Sequence, residues 1–153
     1  MWGDGEVDIP DVGCDTFISI DEAGEQPQWC RYAERLAACG RVIRFDPSGI
    51  GLSNTRPDLD ELTFDAWVDD ALAVMEAVGS TRAVVPAASG SSLPAFICVA
   101  EHPERTESLV VVNPSARYME ADDYVFGIPL DLMEEFRAGL DPDRPARARL
   151  DHR

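Results

Sequence analysis

The chain has 153 residues, which is enough for one domain with a single hydrophobic core. Hydrophobic residues make up 45% of it, and this excludes disorder throughout the chain. The formal net charge of -16 argues against nucleic acid and membrane partners, because affinity for phosphate groups rests on clusters of Lys and Arg. Small neutral molecules or other proteins are the expected partners.

The four cysteines, Cys14, Cys30, Cys39 and Cys98, form no C-x-x-C pair and have no histidine at ligand spacing. We therefore expect no metal site and reduced, mostly buried thiols. The N-terminal sequence lacks the basic and apolar regions of a signal peptide, and nowhere do about 18 apolar residues follow one another. A cytoplasmic location is the expectation.

The first predicted elements are irregular. Residues 1–15 alternate acids with Gly and Pro, so we expect an acidic lead-in that is too poor in apolar residues for a central strand. Residues 16–20 alternate in the manner of a strand, and residues 21–24 have turn chemistry. Helical spacing begins at Pro27, and Gly40 stands where a left-handed C-cap would end that helix.

After Gly40, strand and helix patterns alternate regularly. In chain order we predict a strand at 41–45, a helix capped by Thr63 and ended by Gly79, a strand at 83–86, a helix at 92–100, a strand at 109–113 and a helix at 130–138. Such alternation predicts an α/β domain over residues 16–140, with a mostly parallel sheet and flanking helices. Residues 141–153, rich in Arg, Asp and Pro, are expected to form a disordered tail.

Three polar residues follow three of the predicted strands: Asp46, Ser89 and Asn113. Ligands of parallel sheets bind outside the carboxyl ends of the strands, so these positions mark the expected site. Ser89 lies between a short apolar strand and a long apolar helix, which is the setting of a hydrolase nucleophile or, alternatively, of a simple helix cap. We interpret Asp46 as a residue that organises the glycine loop after it, and Asn113 as structural.

The loop at residues 45–53, FDPSGIGLS, resembles the D-x-R-G-x-G-x-S loop of α/β-hydrolases, and Ser89 follows at the separation that this family shows. The run EHPER at 101–105 resembles the segment behind the family's nucleophile helix. The whole pattern is most similar to the hydrolase-like domain that precedes class III adenylate or guanylate cyclase domains in actinobacteria. This resemblance implies a partial α/β-hydrolase fold, truncated to its N-terminal half.

The resemblance also implies roles for individual residues. Ser89 would be the nucleophile, the Gly90 N–H would form half of the oxyanion hole, and Phe17 could supply the other half. A small ester or acyl compound would be the substrate. No cofactor is expected, because residues 49–51 lack the third glycine of a dinucleotide loop and the Lys of a phosphate-binding loop.

The serine turn departs from the family pattern G-x-S-x-G, since residues 87–91 read A-A-S-G-S. Ser91 brings a side chain to a place where the helix and strand backbones come close, and Ser92 follows where such domains tend to have another glycine. We therefore expect the turn to persist with a relaxed geometry.

A catalytic base is the larger difficulty. His102 comes thirteen residues after Ser89 across a helix, roughly 20 Å away, whereas proton abstraction requires about 3 Å. His152 lies in the expected tail, which cannot hold an imidazole in place. We predict a catalytically impaired hydrolase-like chain that acts as a regulatory or interaction module or is a truncated remnant. The alternative is a serine hydrolase of the carboxylesterase type that uses Ser89, with a base from another chain or from His152.

A partial sheet also has unpaired edges. An exposed edge strand offers free N–H and C=O groups to another polypeptide, so we expect a protein partner or a homo-oligomer to bind there.

Overall fold

A computed structural model describes residues 1–11, 19–54 and 63–140. The chain divides into two compact units, Met1–Ala116 and Arg117–Arg153. The first unit contains the sheet. The second contains, among its described residues, a short bridged loop and one helix.

The sheet of the first unit has four strands in the order β2-β1-β3-β4, and the neighbouring strands pair in parallel. The strands are β1 (Asp8–Asp11), β2 (Arg41–Arg44), β3 (Ala83–Ala88) and β4 (Thr106–Val112). The helices are α1 (Ile20–Gly24), α2 (Pro27–Ala37), α3 (Phe64–Ala77), α4 (Ser92–Glu101) and, in the second unit, α5 (Leu130–Leu140). The predicted α/β class and its parallel sheet are confirmed.

Helix α3 begins and ends where its sequence predicts. Thr63 accepts a hydrogen bond at its side chain from the N–H of Ala66, at 3.2 Å. Gly79 has a φ of 72°, a left-handed conformation that glycine adopts without a steric penalty.

The sheet overturns the prediction that residues 1–15 lack a central strand. β1 pairs with β2 on one side and with β3 on the other, and its four residues include two acids. Those acids are matched by arginines in register on β2: Asp8 lies opposite Arg41, and Asp11 lies opposite Arg44. Because each carboxylate has a guanidinium beside it, the strand needs few apolar residues to lie inside the sheet.

Two further predictions are corrected. Ile20 begins helix α1 instead of ending a strand, with the Ser19 hydroxyl accepting a hydrogen bond from the N–H of Glu22; residues 16–18 of the predicted strand lie outside the described residues. Gly40 is not in the left-handed region, and α2 ends before it. Glycine is required there because a Cβ atom would collide with the carbonyl oxygen of Val7. The predicted tail at 141–153 lies outside the described residues.

The two faces of the sheet differ in how fully helices cover them. On one face, α4 packs over Val85 and Ala87, which form a buried cluster with Ala95, and α3 packs against α4. On the other face, α2 leaves a groove of about 310 Å³, and the residues that line it are Trp29, Tyr32, Leu36, Pro86, Ala87, Ala88, Val110 and Val112. Strand β4 is the last strand of the described sheet, and Val110 and Val112 are 52% and 56% exposed.

Candidate active site

The carboxyl edge of the sheet collects the polar residues that the sequence singled out. Asp46 lies just beyond β2, Ser89 directly follows β3, and Asn113 directly follows β4. The strand order places Ser89 between β1 and β4 at this edge. The three predicted positions therefore lie at the carboxyl ends of strands in one sheet.

Ser89 has a strained backbone. Its φ is 48°, which is a left-handed conformation, and its side chain is exposed. A non-glycine residue in this region has an energetic cost of about 1–2 kcal/mol. Such a sharp turn between a strand and a helix is the geometry that presents a nucleophilic hydroxyl above a parallel sheet.

The glycine-poor sequence does not relax this turn. Ser91 is 3% exposed, and its hydroxyl accepts a hydrogen bond from the Ala88 N–H and donates one to the Ala88 carbonyl, both at 2.9 Å. Ser92 is fully buried, and its hydroxyl donates to the Ser89 carbonyl and accepts from the N–H of Ser115 at 3.4 Å. The expectation of a relaxed geometry is wrong because these two side chains bind the backbone on both sides of Ser89.

Gly90 lies in the short 3-10 turn that joins β3 to α4 and is half-buried. N–H groups in the first turn of a helical segment have no carbonyl partner within that segment, so they can bind an anion. Phe17, the residue considered for the second half of an oxyanion hole, lies outside the described residues. The premise that no strand precedes this part of the chain is wrong, because β1 ends at Asp11.

The loop after β2 is organised around Asp46. Its carboxylate accepts a hydrogen bond from the N–H of Ile20 at 2.8 Å, and its carbonyl accepts one from the Ser53 hydroxyl at 2.6 Å. Gly49 and Gly51 have φ values of 85° and 55°. Asp46 thus has the predicted organising role, but its carboxylate binds the start of α1 rather than the glycines after it.

Helix α3 anchors the same loop through two residues that the sequence reasoning missed. The Asp70 carboxylate accepts a hydrogen bond from the Ser48 N–H at 2.7 Å, and the Trp67 indole N–H donates to the Ser48 carbonyl at 3.3 Å. Trp67 and Asp70 are three positions apart and so share a helix face. The spacing indicates that the two side chains act on one neighbour, but the sequence does not show which loop this helix face contacts.

A buried ion pair also lies at this edge of the sheet. Arg44 Nε is 3.1 Å from Asp11 Oδ2, and the two side chains are 14% and 1% exposed. Neither residue is among the site residues predicted from the sequence. Their contact joins the carboxyl ends of β1 and β2.

His102 lies away from the site. It follows the last residue of α4, and its Nδ1 is 3.8 Å from the Glu104 carboxylate. The ten residues of α4, which begins three residues after Ser89, extend about 15 Å. His102 therefore cannot take a proton from Ser89 in this arrangement, and His152 lies outside the described residues.

The cysteines are less buried than predicted. Of the three that the structure describes, Cys98 is buried, Cys30 is half-buried and Cys39 is exposed. Burial raises the pKa of the Cys98 thiol. Within the described ranges, no group of three or more His, Cys, Asp or Glu residues could hold a metal ion, and no helix is long and apolar enough to cross a membrane.

The family model of the alpha/beta hydrolase fold matches residues 23–148. The chain belongs to the α/β-hydrolase family. This assignment agrees with the parallel sheet and with the strained serine between β3 and α4.

Several hydrolases are similar to this α/β-hydrolase chain. The protein named as carbamate hydrolase RutD in Caulobacter sp. (strain K31) is 31% identical over 101 residues, covering 66% of this chain and 37% of the relative. The crystal structure of a probable hydrolytic enzyme from Pseudomonas aeruginosa PAO1 is 29% identical with a TM-score of 0.57, covering 74% of this chain and 34% of that protein. A marine microorganism esterase, 19% identical with a TM-score of 0.67, covers 96% of this chain and 51% of the esterase, and it shows the shared fold alone.

These relatives are considerably longer. The 153 residues span 37% of the carbamate hydrolase, 34% of the Pseudomonas enzyme and 51% of the esterase. The similarity therefore does not by itself assign the activity of a full-length relative to this chain.

Proposed function

We propose that this chain carries the nucleophile of an α/β-hydrolase-type serine hydrolase, with Ser89 as the nucleophile and the Gly90 N–H as an oxyanion donor, and that its 153 residues alone are catalytically impaired. The observation that carries the assignment is the exposed Ser89 with a φ of 48° between β3 and α4. A strained conformation at a non-glycine residue is retained only where the surrounding structure enforces it.

The impairment follows from the position of the described histidine. Serine is a weak nucleophile unless a neighbouring base takes its proton, and His102 lies at the opposite end of α4. Asp46 does not substitute for a histidine, because its carboxylate is already bound to the start of α1. Ser89 is thus presented to solvent without a described base in reach.

For the substrate class, we propose small compounds with an electrophilic carbonyl carbon, such as esters or carbamates. The name of the carbamate hydrolase relative supports this class. The resemblance to cyclase-linked hydrolase domains supports a regulatory or interaction role for a chain with weak acyl-transfer activity. The same resemblance supports the proposal that this chain corresponds to the N-terminal part of a complete α/β-hydrolase domain.

A second function is an active serine hydrolase whose base comes from another chain or from His152. The exposure of Ser89 favours it, because an imidazole from a second polypeptide could approach the hydroxyl from solvent.

A fluorophosphonate probe, which labels only activated serines, separates the two functions. The purified chain, shown to be folded by a cooperative thermal transition in circular dichroism, is incubated with the probe and its intact mass is measured. Impairment predicts no labelling above the level of Ser89→Ala. Labelling that disappears in Ser89→Ala would establish the active form instead, and labelling that moves to another serine would overturn the assignment of Ser89.

Matched variants locate the base if labelling occurs. Ser108→Ala removes another exposed hydroxyl, on β4, and should leave labelling unchanged. His102→Ala should also leave labelling unchanged, because the imidazole lies at the end of α4 that is distant from Ser89. Loss of labelling in His152→Ala would identify an internal base, whereas an increase of the labelling rate with protein concentration would identify a base from another chain.

We also propose that β4 pairs with β4 of a second copy. Val110, Val111 and Val112 are 52%, 37% and 56% exposed, and an exposed apolar segment of an edge strand is a template for pairing. Size-exclusion chromatography with light scattering should show a dimer, and Val111→Lys should convert it to a monomer. A compact monomer before the substitution would refute the pairing.

A further inference from the structure

We infer that Ser91 and Ser92 are positioning residues for Ser89: their buried hydroxyls hold the turn in the conformation that the family usually obtains with glycine. This inference rests on the proposed role of Ser89 as the nucleophile. It assigns a task to two residues whose side chains were expected to disturb the turn.

The Ser91 hydroxyl fixes Ala88, the residue before the nucleophile. It accepts from the Ala88 N–H and donates to the Ala88 carbonyl, both at 2.9 Å, so one side chain satisfies both polar groups of the last β3 residue. A buried hydroxyl with both functions used has one favoured orientation. The direction in which the chain leaves β3 is thereby set.

The Ser92 hydroxyl fixes the peptide unit after the nucleophile. It donates to the carbonyl of Ser89 itself, and it accepts from the N–H of Ser115, which follows β4. The carbonyl of Ser89 cannot rotate freely without breaking this bond. Because the N–H of Gly90 belongs to the same peptide unit as that carbonyl, the bond also sets the direction of the proposed oxyanion donor.

The space around the turn accommodates the extra side chains. Ser91 borders a small cavity of about 20 Å³ whose other lining residues include Pro10, Pro86 and Ala95. The chain therefore tolerates a serine where the family pattern has glycine, and the hydroxyl gains two backbone partners.

The test uses a cysteine at position 89 as a reporter. Ser89→Cys places a thiol at the turn, where the first-turn N–H groups favour the thiolate and raise its reactivity at neutral pH. The rate of iodoacetamide alkylation is measured at this position by peptide mass spectrometry as a function of pH, with exposed Cys39 as an internal reference. Alkylation requires no general base, so this readout is independent of fluorophosphonate labelling.

Adding Ser91→Ala to the reporter should lower its alkylation rate at pH 7 relative to Cys39 by about threefold or more and raise the apparent pKa of the thiol. Ser91→Thr, which retains the hydroxyl, should restore the rate. The matched control is Ser53→Ala, which removes a hydroxyl bound to a carbonyl in the other loop and should reduce stability without changing the reporter.

An unchanged reporter rate and pKa in Ser91→Ala would overturn the inference for that residue even if Ser89 is labelled by the fluorophosphonate. If Ser91→Ala does not fold, Ser92→Ala provides the second variant, because it removes the bond to the Ser89 carbonyl while leaving both bonds to Ala88. An unchanged reporter there would overturn the proposal for Ser92. A change equal to that caused by Ser53→Ala would reduce both serines to a purely structural role.

Discussion

Two loops at the carboxyl edge of the sheet reach similar backbone conformations by different means. The loop after β2 keeps glycine at its left-handed positions, Gly49 and Gly51. The turn after β3 has Ser89 at its left-handed position, and serine hydroxyls bind the backbone around it. The loop after β2 avoids strain because its left-handed residues are glycines. The turn after β3 keeps a strained serine, and hydrogen bonds stabilise its conformation.

This difference shows why a family pattern written in glycines is an incomplete guide. Glycine at positions 91 and 92 would leave room for the close approach of helix and strand, but it would provide no side-chain hydrogen bond to the turn. The buried hydroxyls of Ser91 and Ser92 bind the backbone on both sides of Ser89. The turn at Ser89 can therefore persist without its glycines, whereas the loop around Asp46 has no comparable substitute at Gly51.

Gly51→Ala should have the largest effect. A Cβ atom at this position would collide with the Asp46 carboxylate and the Ser19 side chain, and the φ of 55° is unfavourable for alanine. We expect the free energy of unfolding to fall by about 2–4 kcal/mol, measured by urea denaturation. The control is Gly24→Ala, where a Cβ meets no atom within 4 Å, and it should be nearly neutral. Equal effects at the two glycines would contradict the importance of the loop conformation.

Ser92→Ala should have an intermediate effect. It leaves the Ser89 carbonyl and the Ser115 N–H without the hydroxyl that joins them. We expect a loss of about 1–2 kcal/mol in the free energy of unfolding, again by urea denaturation. A loss as large as that in Gly51→Ala would mean that the two loops depend equally on a single residue. An unchanged free energy of unfolding would show that other contacts stabilise the left-handed conformation of Ser89.

Asp8→Asn should have the smallest effect and a distinct pH dependence. Asp8 lies at the opposite edge of the sheet from both loops, where its two carboxylate oxygens are 2.6 Å and 2.8 Å from the Arg41 guanidinium. The hydrogen bond from Arg41 lowers the pKa of the Asp8 carboxyl. Its stabilisation is therefore present above the unfolded-state pKa of about 3.9 and is lost as the pH falls through the lower folded-state pKa.

Thermal unfolding at several pH values measures this effect. At pH 7 the melting temperature of Asp8→Asn should be about 1–3 °C below that of the parent chain, and the difference should shrink below about pH 4. A difference that is independent of pH would assign the effect to side-chain shape and not to the ion pair.

The amino-acid sequence was enough to predict the alternation of strands and helices from Arg41 onward, since hydrophobic period and cap residues are local properties. It also determined that a serine follows β3 and that glycines follow Asp46. The loss of the family glycines around Ser89 is visible in the sequence, but the relaxed turn geometry predicted from it is wrong. Periodicity and composition describe neighbours along the chain and do not identify hydrogen-bond partners.

The place of β1 and the conformation of the serine turn depend on contacts between segments that are distant in the sequence. Asp8 and Asp11 look unsuitable for a central strand until β2 brings Arg41 and Arg44 into register beside them. Likewise, the Ser92 hydroxyl meets Ser115 only after β4 has returned parallel to β3. In both places the free energy of a polar group depends on a partner distant in sequence, and that partner is fixed by the fold.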